Sequence, residues 1–178
     1  MKKNLLKKMS KALFITMTEL KRKSIIDGAL DTDKLIQFVE VAQDIHIQNF
    51  LGTKLYEKIQ LLITGNTLDN AGNAAYKTLL NSYIKPMLVW YSQYSYIPFA
   101  AYQISNGGIF KHTSESSETL TKSEIDSLTS RAKDFADFYV NRFFDFIDEK
   151  STDYPEYNAA QDTGMYPDKD PTYGGWVI

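Results

Sequence analysis

The fold is decided by residues 33–63, DKLIQFVEVAQDIHIQNFLGTKLYEKIQLLI, which predict two amphipathic helices separated by Gly52. On each side of this glycine, apolar residues recur at steps of three and four, the spacing that places them on one face of an α-helix. Glycine adopts positive φ with little penalty, so Gly52 is expected to end the first helix, after which Thr53 can cap the second. The two apolar faces consist of Leu35, Val39, Ala42 and Ile45 and of Leu55, Ile59, Leu62 and Ile63. Because such faces are unstable when exposed to water, the rest of the chain must supply helices that cover them.

The composition indicates one globular domain and disfavours several classes of site. With 178 residues, of which 43% are hydrophobic, the chain can bury a core of ordinary size. Its net charge of −2 disfavours a general nucleic-acid-binding protein, which usually carries a basic excess. The chain has no cysteine, and its two histidines, His46 and His112, show no metal-ligand spacing. We therefore expect no disulfide, no metal site and no cofactor.

The order of these patterns predicts three regions. Residues 1–17 form a basic amphipathic N-terminal segment, residues 18–150 a helical bundle, and residues 151–178 an extended C-terminal arm. The expected fold class is mainly α: a compact helical bundle with a long loop between its last two core helices and the arm at its end. No stretch approaches the roughly 20 apolar residues of a membrane span, and lysines interrupt the start where a signal peptide needs an unbroken apolar centre. We expect a soluble protein made in the cytoplasm, without a membrane partner.

The N-terminal segment leaves two interpretations open. Its apolar residues fall at helical spacing opposite a lysine-rich face. Such a helix can dock on a partner protein, an anionic membrane or nucleic acid. Alternatively, it is a first helix or a poorly ordered terminus whose lysines are simply solvated.

The middle of the chain predicts an aromatic helical stretch followed by a polar loop. Residues 73–105 are expected to be mostly helical, with a break or kink before Pro86 and a kink or an end at Pro98, because proline lacks the amide that a helix interior needs. Aromatic residues circle this stretch, which indicates a helix buried on several sides. The sequence Asn106-Gly107-Gly108 is expected to end it, and residues 109–119 to follow an extended or hairpin-like course.

The clearest helix prediction covers residues 121–150. Thr121 and Glu124 form a capping box at its start. Apolar residues then repeat at near-regular steps of three and four, and we interpret the phenylalanines among them as core residues. These positions include Leu128, Phe135, Phe143 and Phe146.

The residues best suited to an interface are a histidine and a set of aromatic side chains. His46 falls near the centre of the first apolar face with Gln43 at its margin, and we interpret it as a neutral histidine in the core or in a subunit interface. A general base would need an acid or nucleophile as partner, and the sequence shows none, so no catalytic residue is assigned. Tyrosine and tryptophan give an interface both area and a hydrogen-bonding group. The interface candidates are Gln43, His46, Tyr91, Tyr94, Tyr166, Tyr173 and Trp176.

Several short sequences carry a resemblance to a known group of virion proteins. They are Ala42-Gln43, His46-Ile47-Gln48, Leu51-Gly52-Thr53 with Leu55-Tyr56, Ile84-Lys85-Pro86 and Asn106-Gly107-Gly108. Through them the chain resembles the head–tail connector, or head-completion, proteins of tailed bacteriophages, in particular the ring proteins of crAss-like phages. The resemblance covers about residues 14–147 and rests on helices and turns more than on a catalytic motif.

The resemblance implies a structural role and a set of partners. It implies a helical bundle repeated in a twelvefold ring below the portal protein, in the neck of the virion. The ring would continue the channel through which genomic DNA passes without sequence-specific binding. Its other face would meet an adjacent tail protein or a second ring. The resemblance implies no enzymatic activity, and it assigns no role to the lysine-rich N-terminus or to the aromatic tail.

Two other functions remain open from the sequence. A helical nucleic-acid-binding adaptor would use the N-terminal lysines and would bind DNA with a strong dependence on salt. A small enzyme would instead use His46 with nearby carboxylates in a concave pocket. The lysines concerned are Lys2, Lys3, Lys7, Lys8 and Lys11, with the cluster Lys21, Arg22 and Lys23.

Overall fold

The structure, a computed structural model, describes residues 11–26, 32–100, 102–105, 108–111, 120–159 and 164–170. In these ranges the chain is mainly helical and has one two-stranded antiparallel hairpin. The α-helices are α1 (Met17–Lys23), α2 (Thr32–Ala42), α3 (Gln48–Thr64), α4 (Ala74–Leu79), α5 (Lys85–Tyr96) and α6 (Lys122–Glu149), and the strands are β1 (Tyr102–Ser105) and β2 (Gly108–Lys111). The predicted fold class is confirmed: a mainly α bundle with a long connection before its last helix and an extended C-terminal arm.

Helix α5 lies at the centre of the bundle, packed against both α2 and α6. Consecutive residues from Met87 to Val89 are buried, together with Tyr91, so more than one side of the helix is covered. This confirms the prediction of a helix buried on several sides. Helix α6 covers it with a regular stripe of buried residues at steps of three and four: Ala132, Ala136, Val140, Phe143 and Ile147.

The run from α2 to α3 contains the predicted break at Gly52 and one feature that the sequence did not indicate. Gly52 has φ 69° and ψ 163°, a conformation that only glycine adopts readily, so the break is confirmed. Between α2 and α3, residues Gln43–Ile47 form a π-helical turn. The wider turn shifts the side chains around the helix and buries Gln43, His46 and Ile47 together.

A second π-helical turn, Leu80–Ile84, joins α4 to α5 where the sequence predicted a break or kink. Pro86 lies in the first turn of α5, as expected. In a regular helix its ring would press on the carbonyl four residues earlier, and the wider turn directly before it relieves that contact. The chain therefore stays helical from α4 to α5 instead of breaking.

The connection from α5 to α6 differs from the prediction in one respect. Helix α5 ends at Tyr96, and a short 3₁₀ turn, Ile97–Phe99, follows around Pro98. Strand β1 then pairs with β2, with Tyr102 opposite Lys111 and Ser105 opposite Gly108. The expectation of helix up to Ser105 was therefore wrong, because Pro98 ends the helix and the next residues form a hairpin.

Helix α6 begins as predicted and differs in how it buries its phenylalanines. The Thr121 hydroxyl accepts from the Glu124 amide, and the Glu124 carboxylate accepts from the Thr121 amide, which confirms the capping box. Phe143 is buried, but Phe135 and Phe138 are about half exposed. They lie beside the buried stripe, so the interpretation of this helix's phenylalanines as core residues was wrong for Phe135.

The described part of the N-terminal segment is extended and packs in the core. Residues 11–16 are not helical, although the apolar spacing predicted a helix there, and Phe14 and Ile15 are buried. The side-chain amide of Gln43 accepts from the Phe14 amide at 2.8 Å and donates to the Ala12 carbonyl at 3.0 Å. These backbone-to-side-chain bonds replace the bonds of a helix.

The chain after α6 continues the bundle before it becomes an arm. Tyr154 and Tyr157 are buried in the core, and the Tyr154 hydroxyl donates to the Ala75 carbonyl at 3.0 Å. The Tyr76 hydroxyl donates to the Glu156 carboxylate at 2.6 Å. The packed body therefore reaches beyond residue 150.

Candidate functional site

An apolar groove lies between α2 and α6, over the end of α5. It has a volume of about 410 Å³. The sequence forms it by placing a second apolar stripe on α2, opposite the one that faces the core. Val41 of α2 and Ile45 of the π-helical turn lie on this outer stripe and are each 45% exposed, so the prediction that placed Ile45 on the core-facing stripe was wrong. We call this feature the groove; its lining residues are Phe38, Val41, Tyr94, Ser95, Pro98, Phe99 and Thr129.

The end of α5 closes one side of the groove. Pro98 stops the helix, and this places Phe99 at the edge of the bundle, 55% exposed. The Phe38 ring contacts the rings of Tyr96 and Phe99, with centroid distances of 5.4 and 5.5 Å. Three of the seven described lining residues are therefore aromatic, and all seven are uncharged.

A second apolar surface continues from the groove along α6. Trp90 lies one turn before Tyr94 on α5, and its ring contacts Phe135 at 4.6 Å. Phe135 is 49% exposed and Phe138 57% exposed. We call Leu128, Phe135 and Phe138 the α6 face. Clustered aromatic side chains at a surface are typical of a contact with another molecule.

Beneath these surfaces lies a polar cluster around His46. The His46 ring stacks on the Tyr91 ring with a centroid distance of 3.9 Å. The Tyr91 hydroxyl donates to the Asp137 carboxylate at 3.0 Å, and Lys133 pairs with the same carboxylate at 2.6 Å. The histidine thus packs face to face with Tyr91, and the carboxylate of Asp137 already bonds the tyrosine and the lysine.

The protonation of this cluster follows from its burial. The pKa of His46 is lowered to about 4, mainly by desolvation and further by the charge of Lys133, while the charge of Asp137 opposes the shift. Desolvation also raises the pKa of Tyr91, and the charge of Asp137 and its hydrogen bond raise it again. At neutral pH the histidine is neutral and the tyrosine is protonated, so both act as packing groups.

The structure separates the predicted interface residues into three sets. Gln43 and Tyr91 are enclosed by their own bundle, and His46 is 8% exposed. Tyr94 lines the groove, and Tyr166 is 61% exposed on the arm. Tyr173 and Trp176 lie outside the described residues. The α6 face was not predicted from the sequence, because helical spacing alone does not distinguish a buried apolar stripe from an exposed apolar stripe next to it.

The described part of the arm is held at the break in α3. The Thr53 amide donates to the Met165 carbonyl at 3.0 Å, and the Met165 amide donates to the Thr53 hydroxyl at 2.8 Å. The Asp168 amide donates to the Asn49 carbonyl at 2.8 Å. In place of the expected helix cap, the Thr53 side chain therefore binds the arm.

Gly52 is required at this position for two reasons. Its positive φ strains any other residue. A Cβ atom at Gly52 would also lie 2.8 Å from Cδ and 2.9 Å from the nitrogen of Pro167. The arm therefore packs against the break in α3.

The described lysines of the N-terminal clusters are engaged within the chain. Lys11 pairs with Asp44, and Lys23 pairs with Glu19 at 3.0 Å. Glu19 also pairs with Lys85 at 2.8 Å. Lys2, Lys3, Lys7 and Lys8 lie outside the described residues.

The described residues lack two features that other classes of protein have. They contain no group of three or more histidine and acidic side chains that could hold a metal ion. They also include no helix long and apolar enough to cross a membrane.

The fold and its exposed residues define a helical-bundle protein with an apolar groove and an exposed apolar face on α6. Comparison with family models places residues 47–164 in a protein family of unknown function, DUF6712. Since this match covers more than half of the chain, the chain belongs to that family. The matched range includes α3 to α6 and the buried tyrosines after α6, whereas α1 and α2 precede this range. No curated protein and no solved structure matches the chain.

Proposed function

We propose that this protein is a structural subunit of the head–tail connector of a tailed bacteriophage. In this role it is a ring protein below the portal that extends the DNA channel and joins the capsid portal to the tail. It turns over no substrate. The resemblance over about residues 14–147 suggests this identity, and a compact helical bundle agrees with it.

The α6 face is the observation that carries the proposal. Leu128, Phe135 and Phe138 present apolar area that a solitary chain would leave in water. Fully burying one such side chain is worth about 1.5–3 kcal/mol. Because these side chains are only 39–57% exposed, a contact that covers all three gains roughly 2–4 kcal/mol before its entropic cost, so the face contributes to an association but does not sustain one alone.

A ring makes particular demands on such a face. Each copy must contact the next through two different surfaces, and the head-to-tail contact closes when the rotation between copies permits it. The α6 face supports the proposal as one of these two surfaces. The further partners are the portal protein on one side and a second ring or a tail protein on the other.

The charge of the chain agrees with a DNA conduit. DNA must slide through the channel, and each phosphate contact would add salt-dependent affinity. The net charge is −2, and Lys11, Lys23 and Lys85 form ion pairs within the chain. Both features favour passage of genomic DNA over sequence-specific binding. The location that follows is the neck of the virion, after synthesis in the cytoplasm of the bacterial host.

Particle imaging by electron microscopy tests the proposal. The purified chain is imaged alone and mixed with the portal protein encoded beside it. We expect closed rings in the first sample, or an additional ring below the portal in the second. Single subunits in both samples would contradict a connector role. In that case, salt-dependent DNA binding lost on neutralising the N-terminal lysines would support the adaptor function instead.

A further inference from the structure

We infer that the α6 face of one copy packs into the groove of the next copy. The occupant of the groove is thus a second copy of this chain, and Phe135 and Phe138 are the side chains that enter it. The inference rests on the proposed function and deepens it, because it names both surfaces through which a ring subunit contacts its neighbours. Every residue concerned lies in the described ranges.

The groove and the α6 face lie on different sides of the same helix. Thr129 lines the groove, whereas Phe138 belongs to the α6 face. These two residues are nine positions apart, so at about 100° per residue they lie on opposite sides of α6. A head-to-tail contact needs two different surfaces, and in a ring of many copies these surfaces face in nearly opposite directions. The two apolar surfaces of this chain meet that condition.

The sizes of the two surfaces match. The groove has a volume of about 410 Å³, and an apolar cavity of about 150 Å³ is large enough for one benzene ring. The groove therefore has room for two phenylalanine rings. Phe135 and Phe138 lie one turn apart on α6 and project from the bundle, with 49% and 57% of their surface exposed.

The charges of the two surfaces are compatible with burial. The seven described lining residues of the groove are uncharged, and so are Leu128, Phe135 and Phe138 of the α6 face. Burying a charged side chain without a partner is strongly unfavourable, whereas removing apolar surface from water is favourable. Packing one surface on the other therefore buries apolar area without burying a charge from either.

The contact gives the α6 face the additional apolar area that it needs to sustain an association. The groove contributes Val41 and Phe99, and Ile45 lies one turn beyond Val41 on the same exposed stripe. The contact thus covers six of the twelve large apolar side chains that are exposed in the described part of the chain. These six are Val41, Ile45, Phe99, Leu128, Phe135 and Phe138.

Mixing two chains that each lack one surface tests the inference. Phe138→Asp disables the α6 face and leaves the groove intact, whereas Val41→Asp disables the groove and leaves the α6 face intact. Val41 is 45% exposed and Phe138 57%, so both chains should stay folded, and their melting temperatures check this. In the mixture, one intact α6 face meets one intact groove. Each pair can therefore form one contact but cannot extend it.

Sedimentation velocity should show single subunits for either variant alone and dimers, without larger species, for the mixture. Dimers of Val41→Asp alone would reveal a two-fold contact between α6 faces and would overturn the inference. Single subunits in the mixture would also overturn it, and rings of the wild type under the same conditions would then leave the connector role standing. Dimers in the mixture without wild-type rings, alone or with the portal protein, would contradict the connector role and retain the inference.

Cysteine cross-linking locates the contact, because the native sequence contains no cysteine. Ser95→Cys places a thiol in the groove, and Asn141→Cys places one on α6, one turn beyond Phe138. With a short bismaleimide, a mixture of these two chains should give at least tenfold more covalent dimer than a mixture of Leu61→Cys with Asn141→Cys. Leu61 is the matched position, since it is exposed on α3 outside the groove. Equal yields in the two mixtures would overturn the inference.

Discussion

At the residue scale, His46 gives the stability of this protein a specific dependence on pH. Its pKa is about 4 in the folded chain and about 6.5 in an unfolded one. Between these values the unfolded chain binds more protons, so acidification favours unfolding. The contribution of the neutral histidine to the free energy of unfolding is complete above pH 6.5 and is lost as the pH falls towards 4.

We expect His46→Phe to remove this dependence. The variant keeps an aromatic ring against Tyr91 but cannot titrate. Between pH 7.5 and pH 4.5, the free energy of unfolding of the wild type should fall by about 2–3 kcal/mol more than that of the variant. Urea denaturation at the two pH values measures the difference. Burial raises the pKa of Glu19, but its hydrogen bonds to Lys85 and Lys23 and their charges together lower it, and this shift is the same in both chains and cancels in the comparison. Identical losses in both chains would refute a buried neutral histidine.

Single residues that control the backbone could be predicted from the sequence. Gly52, Pro98 and the Thr121–Glu124 pair act through φ, a missing amide and a cap, which are properties of the residues themselves. The roles of Gln43 and Gln60 could not be predicted. Both amides bond the Ala12 backbone and the Tyr56 hydroxyl, so their function depends on an extended segment about 30 to 50 residues earlier in the chain.

At the scale of elements, apolar periodicity located the helices but not the changes in their hydrogen-bonding pattern. A π-helical turn adds one residue, which moves Ile45 off the buried stripe, but its sequence does not distinguish Gln43–Ile47 from regular helix. The hairpin did have a signal. Asn106-Gly107 is the dipeptide most typical of a tight hairpin turn, and Ser105 and Gly108 on either side of it are paired.

The docking of the arm on α3 predicts that Gly52→Ala has two separable effects. Alanine at φ 69° and ψ 163° should cost about 1–3 kcal/mol of folding free energy, because this conformation is essentially restricted to glycine. Its methyl group would in addition displace Pro167. In a chain that ends at residue 163, only the first cost remains.

Urea denaturation of four chains separates these effects: wild type and Gly52→Ala, each with and without residues 164–178. We expect the substitution to destabilise the full-length chain more than the truncated one. A substitution that costs the same in both would show that the arm does not rest on Gly52. A substitution without cost in either would contradict the left-handed backbone at this position.

At the scale of the whole molecule, the fold class followed from composition and periodicity, but the candidate surfaces did not. A helix of 28 residues such as α6 offers several apolar stripes, and only the packing of α5 decides which one is buried. The arm could be predicted from the sequence as an extended segment after the last helix. Its packing against the break in α3 could not be predicted, because that contact depends on the fold of the complete chain.

The α6 face predicts which substitution prevents assembly without unfolding the subunit. Phe138 is 57% exposed, so Phe138→Asp places a charge in solvent in the isolated chain and should leave its melting temperature within a few degrees of the wild type. In a ring, the same aspartate would be buried against the next copy without a partner, at a cost of several kcal/mol.

Leu61→Asp is the matched control, since Leu61 is 51% exposed on α3, away from this face. Sedimentation velocity, alone and with the portal protein, should show rings for the wild type and for Leu61→Asp and single subunits for Phe138→Asp. Rings of unchanged stability in Phe138→Asp would exclude the α6 face as the contact between copies, and the ring would then have to close through a different surface.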